Sequence, residues 1–276
     1  MVEEVQRGAR QATRTLNRGT RLVALAALLW GLVAPVAQEA YTAGWRPETL
    51  ALYTHLAALP ASLAVIAAYP HVAREALVYG MLLGAMRVAY LESVELNTGP
   101  VAAAALYTAP LIVAVFERAG LRLYILASLA VAGVWLALGA PLEPTPGLLV
   151  ALASSASYAA LIIYTGRIRG DPLRVAIGAQ GAGLAPVALL CIASGCRGGT
   201  GPLYHPILLA IGPGFLAYTL YIRGVRLVGA TRASIVSTLE PVTAATVSWL
   251  LGARISPLQG VGVGVTIASI ILASLG

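Results

Sequence analysis

From Arg21 to its last residue this chain is a succession of long apolar runs divided by short polar breaks, and that succession constrains its fold more than any other feature. A helix rises 1.5 Å per residue, so about 20 apolar residues are needed to cross a hydrocarbon layer about 30 Å thick. Ten runs approach or meet that length: Arg21–Glu39, Pro47–Ala68, Glu75–Leu96, Gly99–Phe116, Leu121–Ala140, Pro146–Tyr164, Pro172–Ser194, His205–Arg223, Thr231–Gly252 and Ser256–Leu275. In lipid every backbone polar group must be satisfied within the protein, which makes each run a helix. The sequence therefore predicts an all-α integral membrane protein of ten transmembrane helices. Charged residues make up 11% of it, against about 25% in soluble domains. The connections are too short to build a separate soluble core.

The formal charge of +7 comes from 18 basic residues, all of them Arg, against 11 acidic ones. In a soluble chain this excess would point to nucleic acid; here its placement points to topology. With the N-terminus in the cytoplasm, Arg7, Arg10, Arg14, Arg18, Arg21, Arg74, Arg118, Arg122, Arg167, Arg169, Arg174, Arg223, Arg226 and Arg232 all fall at cytoplasmic ends. Only Arg46, Arg197 and Arg254 fall on the other side, and Arg87 lies in mid-span. Basic loops are retained inside, so both termini are expected in the cytoplasm of a multi-pass protein of the plasma membrane, with no nucleic-acid partner.

Residues 1–20 place Arg at spacings of three and four along one helical face and read as a basic cytoplasmic segment on anionic headgroups or as a frayed tail. The first apolar run, with Ala34, Ala37 and Ala40 near its end, has some features of a cleaved signal. It is long for one, and its removal would leave an unpaired set of spans, so it is counted as a span. Cys191 and Cys196 lie at the outer end of the seventh run and are expected to stay unpaired, since pairing requires the helix to fray between them. No metal-binding spacing of Cys and His occurs, and no metal or cofactor is expected.

Compared with itself at an offset of 131 residues, the chain aligns Tyr90 with Tyr221, Val94 with Val225, Ala102 with Ala233, Pro110 with Pro241 and Gly133 with Gly264. This registers runs three to five on runs eight to ten and divides the protein into residues 21–140 and 146–276, five helices each. Five is odd, so the second unit enters the membrane inverted. Inverted repeats around a central cavity are the architecture of secondary transporters.

Leu28-Leu29-Trp30-Gly31, the stretch from Gly229 through Ser237-Thr238-Leu239-Glu240-Pro241 to Val242, and Gln259-Gly260 opening a glycine-rich last helix together resemble the drug/metabolite transporter superfamily, in particular its EamA-type ten-helix members. The resemblance runs from Leu22 to Gly276. It departs at Gly252-Ala253-Arg254, where family members often have an acidic residue after the glycine. The resemblance implies a basket of helices around a cavity open to one side at a time, carrying a small polar organic solute such as an amino acid, most simply outward.

An ionisable group inside a span costs several kcal/mol and usually faces a cavity or a partner. Arg87 at the centre of the third run is the foremost candidate, either as a clamp for a carboxylate or phosphate or as half of an ion pair. Glu240, beside Pro241, is its natural counterpart, either binding a cation or proton or neutralising Arg87. Glu39 and Glu92 near the outer ends are candidates for an outer gate. Trp30, Tyr90, Tyr107, Tyr158 and Tyr218 are candidate walls of the substrate site, having apolar area with one polar handle each. The three His, His55, His71 and His205, are scattered along the chain and read as terminal to their spans. The glycines within the spans read as close-packing positions rather than a phosphate loop. The competing functions are a membrane-embedded lipid-modifying enzyme, which would need convergent catalytic groups, and a scaffold, which would need no mid-membrane charge. No catalytic residues are assigned; the expected partners are a small-molecule substrate and the bilayer, with a homodimer left open.

Overall fold

The computed structural model describes residues 2–97, 99–140, 146–196, 199–250 and 252–275, and among these it contains helices and no strand. Glu143 and Arg197, expected in outer loops, lie outside the described residues. The first span is α1 (Val2–Gly31) followed by α2 (Val33–Thr42), with the basic N-terminal segment continuous with α1. Next come α3 (Pro47–Ala68), a single 3-10 turn at Pro70–Val72 leading into α4 (Ala73–Leu96), the pair α5 (Gly99–Leu106) and α6 (Ala109–Phe116), and α7 (Leu121–Leu138). The second half holds α8 (Pro146–Thr165), the pair α9 (Pro172–Ala182) and α10 (Leu184–Ala193), and α11 (Tyr204–Leu209) joined by a π-helical segment, Ala210–Leu216, to α12 (Ala217–Val228). It closes with α13 (Ala230–Ser237), α14 (Leu239–Leu250) and α15 (Pro257–Ser274).

Among the described residues nine helices are long and apolar enough to cross a membrane. The stretch expected as the ninth span is not among them. It is divided at Thr238 into α13 and α14, and it carries Arg232, Glu240 and several hydroxyl side chains. Proline explains the division. Pro241 has no N–H to give the carbonyl of Ser237, and the hydroxyls of Ser237 and Thr238 turn back onto Ser234 O (2.8 Å) and Ile235 O (2.6 Å). Pro110 does the same in the first half, where the helix breaks between Leu106 and Ala109. Pro213 sits inside the π-helical segment, where the ladder is likewise interrupted.

Small residues set the helix spacing. A Cβ on Gly80 would collide with Ala179 O and one on Gly84 with Gly183 O, so α4 and α9 meet backbone to backbone. At the other edge Gly262 of α15 lies against the backbone of α7 at Gly133 and Ala137. Gly260 and Gly264, by contrast, face open space.

The ends of the bundle are tied by polar contacts. At one end Glu75 accepts the backbone N–H groups of Arg169 and Gly170 (2.8 Å each), and the Arg174 guanidinium lies 3.6 Å over the Tyr69 ring. Arg122 donates to the carbonyls of Leu272 (2.8 Å) and Leu275 (2.7 Å) near the C-terminus. At the opposite end Trp45 Nε1 donates to Pro202 O (3.2 Å) and Tyr204 donates to Glu39 (2.8 Å). Cys191 and Cys196 form a disulfide, contrary to the expectation from sequence. The reason is local: α10 ends at Ala193, and Gly195 (φ 77°) and Cys196 (φ 36°) turn the chain back, bringing the two Cα atoms to 4.6 Å.

Candidate functional site

A cavity of ≈ 170 Å³ enters the bundle between α2, α3, α4 and the π-helical segment. Tyr41 and Pro47 lie towards its mouth, at the end of the bundle that carries Trp45, while Thr54, Arg87, Tyr90 and Pro213 lie deeper. The rest of the lining is aliphatic, with Val33, Leu50, Leu91 and Leu209 the larger contributors.

Arg87 is held from behind. Its Nη1 lies 2.7 Å from Nε2 of His55 on α3, and Nδ1 of that ring lies 2.6 Å from the backbone oxygen of Gln180 on α9. A carbonyl can only accept, so Nδ1 carries the hydrogen and Nε2 is left as the acceptor for the guanidinium. Tyr218 lies within electrostatic range of Arg87. Among the described residues no carboxylate lies within ion-pair distance of Arg87. The reading of Glu240 as its fixed partner is therefore corrected, and so is the reading of His55 as terminal: His55 is fully buried in the interior of α3. Glu240 instead faces the hydroxyl of Tyr107.

The aromatic candidates gather beside this cavity. Tyr90 lines it. Trp30 packs at 4.9 Å from Tyr218 and 5.1 Å from Tyr221, and Tyr79 meets Tyr218 edge-on at 5.9 Å. Tyr107 and Tyr158 form a second edge-on pair at 6.3 Å. Trp30, Tyr107, Tyr158 and Tyr218 are buried side chains of the core, outside the cavity lining. Trp30 Nε1 donates to Pro213 O (3.0 Å), a carbonyl of the π-helical segment, so the same irregular turn that lines the cavity anchors the aromatic cluster.

The acidic candidates separate. Glu39 is exposed and is held by Tyr204, with His205 Nε2 3.8 Å from the same carboxyl oxygen. Glu92 lies on α4 in electrostatic range of Glu95, as do Glu48 and Arg46. Glu39 and Glu92 thus have different immediate neighbours near the same end of the bundle.

His55, Gln180 and the π-helical segment were not singled out from sequence. A lone histidine in an apolar run carries no spacing signal; the only pointer available was that an intramembrane arginine requires some acceptor, and His55 is a polar side chain buried in a neighbouring span.

Residues 145–275 match the EamA-like transporter family. No curated protein matches the sequence. A solved crystal structure of a protein with 20% sequence identity superposes with a TM-score of 0.76, covering 93% of this chain and 97% of that one. At that identity the likeness shows a shared fold.

Proposed function

We propose that this chain, a member of the EamA-like transporter family by its residues 145–275, is a secondary transporter that exports a small organic solute across the cytoplasmic membrane by alternating access. The observation that carries the reading is Arg87: a guanidinium at mid-depth, braced by a neutral histidine, with no carboxylate partner among the described residues, on the wall of a cavity that reaches one end of the bundle. A cation is kept there at a cost of several kcal/mol, and the group that offsets the cost is an anionic part of the solute.

Two inverted five-helix units, ten spans in all, complete the proposal. The family match occupies 145–275, nearly the bounds that the internal offset assigns to the second unit. Helix pairing supports the inversion: α4 packs on α8 as α12 packs on α1, and α5 with α6 on α8 as α13 with α14 on α1. The two proline breaks support it further. Adding 131 to Tyr107, the first residue after α5, gives Thr238, the residue dividing α13 from α14. In this arrangement Arg87 and Tyr218 are counterparts, and they lie within electrostatic range of each other.

The Arg distribution favours a cytoplasmic location for both termini, and the cavity then opens outward. The Cys191–Cys196 disulfide falls on the same outer side, where oxidising conditions allow it to persist. The test is release from proteoliposomes loaded with a defined mixture of organic acids, amino acids, amines and nucleobases, read by mass spectrometry. The reading requires at least one component to leave faster with the native protein than with Arg87→Gln, whereas equal release of every component would refute it.

A further inference from the structure

We infer that the solute anchored by Arg87 is an organic monoanion with an apolar body, rather than a zwitterion, a cation or a phosphate ester. The inference rests on the reading of Arg87 as the anchor and narrows it to one chemical class.

Charge matching is the first argument. Arg87 is the one charged residue of the cavity lining among the described residues. A carboxylate carries one negative charge and matches it. A phosphate monoester carries nearly two at neutral pH, and the lining supplies no second cation for the excess.

The absence of a site for an ammonium among those residues is the second. An ammonium has three donors and no acceptor, and when it leaves bulk water its charge is best matched by a carboxylate. The lining offers the oxygens of Thr54, Tyr41 and Tyr90 as its polar side chains besides Arg87. Thr54 gives its hydrogen to Leu50 O at 2.8 Å and the two tyrosines are neutral, so these three oxygens can accept hydrogen bonds but supply no negative charge to balance an ammonium. Glu240, the half-buried carboxyl nearest in kind, is outside the lining and faces Tyr107.

The remaining wall is the third. Val33, Leu50, Leu91 and Leu209 form an aliphatic surface that compensates only apolar area, while His55 takes up one nitrogen of the Arg87 guanidinium and leaves its other donors unused by that contact. Near the mouth Glu95 lies in electrostatic range of Glu48, Glu92 and Arg46, a net negative rim. Such a rim lowers capture of an anion from that side, which suits a protein that releases the anion there.

Four probes sharing one phenylethyl body separate the classes: 3-phenylpropionate, phenylalanine, phenethylamine and 2-phenylethyl phosphate. Binding of each to the purified full-length protein in nanodiscs is measured by calorimetry, with competition at millimolar concentration for weak ligands. The inference predicts that 3-phenylpropionate binds at least ten-fold more tightly than the other three, and that Arg87→Gln weakens it at least ten-fold while the variant keeps its elution volume and melting transition. Phenylalanine or the phosphate binding as tightly as 3-phenylpropionate, with the same dependence on Arg87, overturns the monoanion class and leaves the anchor standing. Tightest binding by phenethylamine, or binding of every probe unchanged in Arg87→Gln, overturns the anchor as well. The comparison among probes uses the native protein alone, so it decides the class even if the variant does not fold.

Discussion

A single histidine decides what Arg87 can do. The guanidinium would be trapped in a closed ion pair if its neighbour were a carboxylate; with His55 as a neutral acceptor it keeps its full charge for a third party. His55 in turn is aimed by a carbonyl next to the break between α9 and α10, so a positioning chain runs from Gln180 through His55 to Arg87. Hydrogen bonds to charged groups contribute about 1.5–3 kcal/mol each. His55→Ala is therefore expected to lower the thermal unfolding midpoint and to weaken Arg87-dependent binding, whereas His55→Gln, whose Oε1 can still accept, should recover a measurable part of both. Equal binding by His55→Ala and the native protein would remove His55 from the chain. From the sequence, the exception at Arg87 was legible because a charge in an apolar run stands out by itself. Its partner was not, because a contact between residues 32 apart depends on how α3 and α4 cross.

Among the helices, the proline and glycine positions carry most of the information. The breaks before Pro110 and Pro241 follow from the prolines themselves, since a missing N–H interrupts the ladder wherever it falls. The π-helical segment around Pro213 and the fold-back at Gly195 and Cys196 were not legible, because each depends on what the neighbouring chain offers in exchange. Trp30 illustrates this. Its indole N–H is satisfied by Pro213 O, a carbonyl of that irregular segment. Glycine spacing gives a clean contrast within one helix. Gly262→Val forces a branched side chain against the backbone of Gly133 and Ala137 and is expected to cost at least about 1–3 kcal/mol. Gly264→Val meets nothing within 4 Å and should leave stability nearly unchanged or slightly raised. Thermal unfolding of the two variants in the same detergent checks this. Equal destabilisation would contradict the described crossing of α7 and α15.

For the whole molecule, periodicity and length sufficed to predict the all-helical membrane architecture, and the resemblance to EamA-type transporters stands for residues 145–275. Which candidates meet around the cavity was legible only in part. Arg87 and Tyr90 line it, whereas Trp30, Tyr107, Tyr158 and Tyr218 pack behind it in the conformation described, with their rings against one another. Sidedness makes a separate prediction. Cysteines placed in the loop between Arg118 and Arg122 should resist membrane-impermeant maleimide added to intact cells, and a cysteine at Gly44 should react. The reverse pattern would invert the topology and with it the direction in which the cavity opens. The account as a whole stands on a transport cycle anchored at mid-membrane. Its most direct test is counterflow of a released solute in proteoliposomes, comparing native protein with Arg87→Ala and Arg87→Lys at matched folded protein. The account predicts that Arg87→Ala abolishes counterflow, and that Arg87→Lys restores little of it because an ammonium lacks the planar fork of donors. An unimpaired counterflow rate in Arg87→Ala would contradict it.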